Sequence, residues 1–388
     1  MSDLFGARSD AQGREWRDPR AVTAQWSDAG AADAALLRYT ARGGWWDALA
    51  AAGVTLLVSR EYEHLVLAVR AQEPRVTYMR LPHPSGIAFD AAGDRVFIAS
   101  TRNPNQIVAF GPVSPARDRL DVAHGANAPS RRLVPLRSWY LPGSYYVHDL
   151  ALIGGRLHAN SVGRNAVVEL GEHGPRTVWW PKSMERDGVP LTGRNEIQLN
   201  SIAAGADLAS SYFTASGERP GRYRPGHPKY PVDRRGVVYS GATREPAARG
   251  LTRPHSARLH GGRVWVDDSG YGDVGFVADG RFERVARLPG WTRGLAFAGN
   301  VAFAGTSRVI PRFKQYAPGL DVARSRCAVH ALDVTTGAVL GSLEFPAGNQ
   351  IFAIEPVPAG WTHGFPFRAG ARPSEARALF YAYEAERP

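Results

Sequence analysis

One short pattern recurs six times along this chain and restricts the fold more than any other feature. A polar or small residue precedes a brief alternating apolar run in PSGIAFD from Pro84, VHDLALI from Val147 and LNSIAAG from Leu199. The same holds for PHSARLH from Pro254, TRGLAFA from Thr292 and IFAIEPV from Ile351. With Ser85, His148, Asn200, His255, Arg293 and Phe352 as equivalents, the gaps are 63, 52, 55, 38 and 59 residues. A period of about 40–50 residues, each with several short strands, belongs to radially repeated β-sheet blades.

The segments between the repeats support that reading. After PSGIAFD come a turn, the period-2 run DRVFIAST, then NQIVAF and RRLVPLRSWYL. After PHSARL come an HGG turn, RVWVDDS, GDVGFVADG and RFERVARLPG, which is four short strands with glycine-rich turns. The sixth copy has too little chain behind it to finish a blade. The missing strands, VTLLVSRE, HLVLAVRA and RVTYMRLPHP, stand before the first copy. The expected fold is therefore all-β: a six-bladed β-propeller over 54–388, closed by N-terminal strands 54–82 that complete the blade begun at about residue 351. Closure removes the open sheet edges that invite aggregation. Residues 1–53 read as an irregular arm and one short helix, WWDALAAAG, ended by Gly53. The insert at 217–236 reads as a loop over one face.

In such a fold the first strand of a blade starts, and the second ends, on the same face near the central channel. Strand-one starts place His83, Ser85, His148, Asp149, Asn200, His255, Ser256 and Arg293 there. Strand-two ends add Ser59, Arg60, Glu61, Arg102, Asn103, Asn160, Arg164, Asp268, Ser269, Tyr271, Thr306 and Arg308. Taken singly, each has a plain structural use, since a polar residue at a strand start can bond the neighbouring blade and an Asp or Ser can cap a turn. Taken together, they converge on one mouth, which is how propellers build ligand sites. The tryptophans, including Trp265 and Trp291, read as blade packing.

Composition narrows the ligand. There are 47 Lys and Arg against 36 Asp and Glu, a formal net charge of +11, and the basic residues are nearly all scattered arginines. Without a basic run there is no nucleic-acid arm and no polybasic membrane tether. The single cysteine, Cys327, excludes an internal disulfide and a cysteine zinc cluster and fits a reducing compartment. No apolar leader or spanning run is evident, so the reading is a cytoplasmic, soluble protein; oligomeric state is not legible.

The catalytic candidates are His148, His255, Arg293, Asp268 and Tyr271. Candidates for ligand binding are Arg60, Glu61, Ser85, Arg102, Asn103, Asn160, Asn200, Ser269 and Arg308. Two imidazoles can act as acid and base, and arginines at the same mouth suit a carboxylate, phosphate or sulfate. The expected ligand is thus an anionic small molecule, processed by histidine acid/base or metal-assisted chemistry (lyase, hydrolase or group transfer). His148 and His255 with Asn200 form the candidate set for a divalent metal, although no self-sufficient metal-binding spacing is present. The alternative is a non-catalytic propeller scaffold that binds a ligand or protein without turnover.

Several motifs carry a resemblance. RPHSARLHGGRVWVDDSGYGDVG and LPGWTRGLAF are similar to MPHSPRWHDGRLWVLDSGTGELG and LPGFTRGLAF of an uncharacterised bacterial β-propeller family. VSREYEHLVL, HPSGIAFD, NQIVAF, VHDLAL and EFPAGNQIFAI extend the likeness over roughly Val54 to Pro358. The resemblance implies the fold and the choice of site, and it implies no reaction. One departure stands out. Where the family has His before Leu-Asn in the third blade, this chain has Gln198. By composition the His/Asn/Arg set is closest, among other six-bladed propellers, to that of arylsulfate sulfotransferases.

Overall fold

The computed structural model describes residues 28–102, 105–113, 131–171 and 174–371. Six antiparallel sheets of four or five strands form the blades of a propeller. Blade 1 consists of Pro84–Asp90, Arg95–Ser100, Asn105–Val113 and Arg132–Leu141. Blade 2 follows with Val147–Ile153, Arg156–Ser161, Ala166–Gly171 and Gly174–Trp179. Blade 3 comprises Leu199–Ala203, Tyr212–Ala215, Gly236–Ser240 and Pro246–Leu251, and blade 4 Pro254–His260, Arg263–Asp268, Asp273–Ala278 and Arg281–Arg287. Blade 5 is built from Trp291–Ala298, Val301–Ser307, Ala328–Asp333 and Val339–Glu344. Each inner strand packs on the inner strands of the blades beside it, and the sixth returns to the first.

Blade 6 joins the two ends of the chain. Its inner strand, Ala353–Pro358, pairs with Val54–Arg60, which continues to Leu65–Val69 and Val76–Arg80. The register runs from Val54 opposite Pro358 to Ser59 opposite Ala353. A short edge strand, Phe367–Arg368, covers Val76–Arg80. Leu56, Leu57, Val58, Leu65, Val66, Leu67, Ile354 and Val357 are fully buried here, so both faces of these strands are apolar and the run is continuous rather than alternating.

The arm is more ordered than its sequence suggests. Trp45–Ala52 is a helix, and Gly53 ends it at φ 65°, the left-handed geometry that favours glycine. Before it, Thr40–Gly43 pairs with Val339–Glu344 and adds a fifth strand to blade 5. TARG has neither alternation nor β-branched enrichment, so its strand state comes from the exposed edge it covers. Two segments leave the blades on the mouth face: the 216–235 insert in blade 3 and the 308–327 insert in blade 5. Val232 and Tyr230 from the first pack with Val309, Phe313, Tyr316 and Ala317 from the second, on Trp291. No described helix is long and apolar enough to cross a membrane.

Candidate functional site

The inner strands open irregularly, and that irregularity builds the site. Register shifts fall between Pro84 and Ile87, Leu199 and Ser201, His255 and Arg258, and Thr292 and Leu295. In blade 2 the pairing passes from Asp149 to Val147 and skips His148. A bulge takes a residue out of the ladder and re-aims its side chain. Ser85, His148, Asn200 and Arg293 are the residues freed in this way, and His255 stands at the edge of its own bulge.

A second device lies one residue earlier. Tyr146, Gln198 and Arg253 immediately precede inner strands, and they have φ of 52°, 52° and 56°. Large side chains rarely adopt this left-handed conformation, and where they do the surroundings enforce it, commonly at functional sites. All three line the central depression. His83 repeats the geometry in blade 1, with φ 45°.

The depression is a space of about 640 Å³ open to solvent. His148, His255, Arg253, Arg293, Arg308 and Glu61 supply its ionisable lining, and Tyr62, Tyr146, Trp291, Phe313 and Tyr316 its aromatic walls. Beneath it a narrower compartment is lined by His148, Asn200, His255, Arg293, Asp149 and Arg258. His148, His255 and Arg293 border both levels, whereas Arg253 borders only the upper one.

The two histidines are held in opposite senses. His255 Nδ1 lies 2.8 Å from the Arg253 carbonyl and 3.0 Å from Ser269 Oγ. A carbonyl only accepts, so Nδ1 carries the proton and Nε2 keeps a lone pair. His148 Nδ1 instead accepts from Arg293 Nη2 at 3.4 Å, which leaves its Nε2–H as donor and ties the ring to the arginine. Burial, then the Arg293 charge, depresses both imidazoles well below the ordinary 6.5, so both are neutral at physiological pH.

Arg253 is buried, Arg293 and Arg308 are half-buried, and the three have no close carboxylate partner. Arg293 lies 3.3 Å above the Phe352 ring, and burial lowers its guanidinium to about 10. Arg253 sits 3.9 Å from the centre of Tyr316, donates through Nη1 to Gln198 Oε1, and has an unpartnered, buried Nε. Arg308 donates to the Pro346 carbonyl at 2.5 Å and also has a buried Nε without a partner. Among the described residues, none of the three forms a salt bridge. Glu61 is already engaged: it accepts from Thr101 Oγ1 at 2.6 Å and faces Arg102 at 3.6 Å and His83 at 3.8 Å.

The other residues marked by the sequence have different surroundings. Asp268 is not at the mouth: its carboxylate accepts the Thr252 amide at 2.5 Å and meets Arg234 at 3.3 Å, and burial raises it to about 7. Tyr271 is also outside, because the short 3₁₀ turn Ser269–Tyr271 carries it outward to Asp233, 3.0 Å away, under the Arg234 guanidinium. Arg60 is buried beneath the arm, donating to the Leu36 carbonyl at 2.7 Å, 3.7 Å from Glu63. Ser85 and Asn160 bond neighbouring blades, Ser85 to the Val147 carbonyl at 2.9 Å and Asn160 to the Leu199 carbonyl at 2.6 Å. Asn200 lines the lower compartment while its amide donates to the Pro254 carbonyl at 2.9 Å. Ser269 positions His255, and Arg102 bonds Tyr146 at 3.0 Å on the rim. Asn103 lies outside the described residues.

Arg253, Tyr146 and the aromatic walls are lining residues that the strand pattern does not mark. The signal for Arg253 is its place directly before the repeat, which Tyr146 and Gln198 share.

The donors do not suit a divalent ion. Among the described residues no three His, Cys, Asp or Glu side chains gather as a metal set. The carboxylate that shares the lower compartment with His148, His255 and Asn200 is Asp149, which is already paired with Arg258 at 2.8 Å, and Arg293 beside them would repel a second cation.

Fold and site together define a six-bladed β-propeller with a cationic, aromatic-walled central mouth. The chain belongs to the family described as domain of unknown function DUF4915, whose profile matches residues 43–362. No curated protein matches it. Among solved structures, the nidogen–laminin complex contains a chain similar over 78% of this one and 98% of its own, with 11% identity and a TM-score of 0.52. A gluconolactonase from Xanthomonas campestris is similar over 76% of this chain and 86% of its own, at 13% identity and a TM-score of 0.43. Regucalcin from Agrobacterium tumefaciens, described as calcium-binding, covers 67% of this chain and 73% of its own, at 12% identity and a TM-score of 0.42. The likeness to the nidogen–laminin chain, at 11% identity, speaks to the fold alone.

Proposed function

We propose that the mouth binds an anionic small molecule and that His255 acts on it as a general base. The observation that carries this reading is the fixed tautomer of His255, which leaves Nε2 unprotonated on a ring that borders a pocket whose three arginines have no salt-bridge partner among the described residues. Arg253 and Arg293 hold the anion and face the negative charge that develops as a proton leaves the bound molecule or a water beside it. His148 fixes the direction of Arg293. The substrate also tunes the base. Burial and then the Arg293 charge depress His255, and a bound anion offsets that charge and raises the basicity of Nε2 when it is needed. The chemistry is proton transfer within an elimination, a hydrolysis or a group transfer.

The test is a turnover screen of the purified protein over a panel of carboxylates, phosphate esters and sulfate esters, followed by NMR in deuterated water, with His255→Ala in parallel. The expected result is consumption of a substrate, or deuterium uptake, that falls by roughly 10²–10⁴-fold in His255→Ala, with anion binding retained. Equal rates in the variant would remove His255 from the chemistry. Anion binding without turnover or exchange anywhere in the panel would make the propeller a binding scaffold.

A further inference from the structure

The mouth carries more information about its ligand than the sign of its charge. Its lining contains three arginines, Arg253, Arg293 and Arg308, against the single carboxylate of Glu61. Arg102 and His83 already face that carboxylate from outside the lining. The lining alone therefore carries two uncompensated positive charges, and none of the three guanidiniums has a salt-bridge partner among the described residues. Holding a charge away from water without a partner is unfavourable, and so a site of this kind is built for counterions that arrive with the ligand.

The two central arginines also stand on different walls and at different depths. Arg293 rests on Phe352, at the start of the closing inner strand, and borders the upper and lower compartments. Arg253 rests on Tyr316, from the blade 5 insert, and borders only the upper one. In each case an aromatic ring occupies one flat face of the guanidinium. The in-plane N–H groups that are not given to Gln198 by Arg253 or to His148 by Arg293 remain for the ligand, and they suit a planar carboxylate. Independent anchoring keeps the two forks from collapsing onto one another.

We propose that the ligand is a dianion with two separated carboxylates, an elongated dicarboxylate whose inner end meets Arg293 and whose outer end meets Arg253. This rests on the reading of the mouth as an anion site and adds to it the number and spacing of the charges. Tyr62, Trp291 and Phe313 line the same depression and offer apolar walls to the stretch of chain that joins the two carboxylates. A compact dianion such as a phosphate places both charges at one level and leaves one arginine unmatched.

The experiment is calorimetric titration of the full-length protein with straight-chain dicarboxylates from oxalate to adipate, the monocarboxylates of matching length, and inorganic phosphate. The expected result is an optimum at one dicarboxylate length, bound roughly 10–100-fold more tightly than its monocarboxylate, as a charge-assisted bond of about 1.5–3 kcal/mol requires. Arg253→Met is expected to remove that preference while a monocarboxylate still binds through Arg293. Equal affinity for mono- and dicarboxylates, or tighter binding of phosphate than of any dicarboxylate, overturns the two-ended ligand and leaves the anion site standing. If no anion binds at all, both readings fall. Should Arg253→Met fail to show a cooperative melt, the wild-type length series decides alone.

Discussion

At the scale of single residues, the chemistry of His255 is decided by three neighbours rather than by the imidazole itself. The Arg253 carbonyl and Ser269 fix which nitrogen carries the proton, and burial with Arg293 keeps the ring neutral. The pH dependence of turnover follows. A base must be unprotonated to act, and its folded pKa lies well below 6.5, so acidification through pH 6.5 leaves kcat/KM unchanged. The acid limb of kcat/KM, which reports the free protein, is expected clearly below 6.5. For kcat, which reports the complex, the bound anion offsets Arg293, and the limb is expected at higher pH than for kcat/KM. Stopped-assay rates across pH 4–8 check this; coincident limbs at 6.5 would mean that His255 titrates as an ordinary exposed histidine. Residue identity alone also explains which candidates were legible. His148, His255 and Arg293 stand out at equivalent places in a repeat. Asp268 and Tyr271 look the same on paper, but Asp268 is engaged by Thr252 and Arg234 and the 3₁₀ turn carries Tyr271 outward.

At the scale of elements, the bulged start of each inner strand is the unit that makes a site out of a repeat. Regular pairing would send alternate side chains into the blade and the channel, and the bulge changes that count by one. Blade contacts at this level are close. A Cβ placed on Gly86 would stand 2.5 Å from Asp149 Cα, against the inner strand of blade 2. Gly86→Ala is therefore expected to push blades 1 and 2 apart and to cost about 1–3 kcal/mol, read as a lower midpoint in urea unfolding with an unchanged slope. A midpoint equal to wild type would show that the strands relax freely, and the bulge would then lose its role in fixing His148. The strands themselves were legible because period-2 runs and glycine-rich turns recur. The left-handed residues were not. Tyr146, Gln198 and Arg253 carry side chains that disfavour positive φ, so nothing local announces it, and the strain is held by blades distant in sequence. Thr40–Gly43 was hidden for a related reason, since its strand state belongs to the edge it covers.

At the scale of the whole molecule, the mouth exists only if the ring is closed, because its walls come from blades 2 to 6 and their connections. Tyr62 and Glu61 arrive from the N-terminal side of blade 6, Asn349 and Gln350 from the approach to its inner strand, and the histidines from blades 2 and 4. The join is the pairing of Ala353–Pro358 with Val54–Arg60, anchored by the buried Ile351, Phe352, Ile354 and Val357. Each of these side chains contributes about 1.5–3 kcal/mol on burial, a sum comparable with the whole stability of a typical domain. A chain ending at residue 350 would therefore lose more than one strand. It would expose the Val54–Arg60 edge, remove the Phe352 ring beneath Arg293 and open the channel. The expected outcome is a truncated protein that aggregates or melts without cooperativity and binds no anion. Adding residues 351–388 as a separate chain is expected to restore a monodisperse species, a cooperative melt and anion binding together, since the strand joins through backbone pairing and apolar contacts that need no covalent link. A truncated protein that kept its melt and its anion affinity without the added chain would place the mouth, and the chemistry built on it, in fewer than six blades.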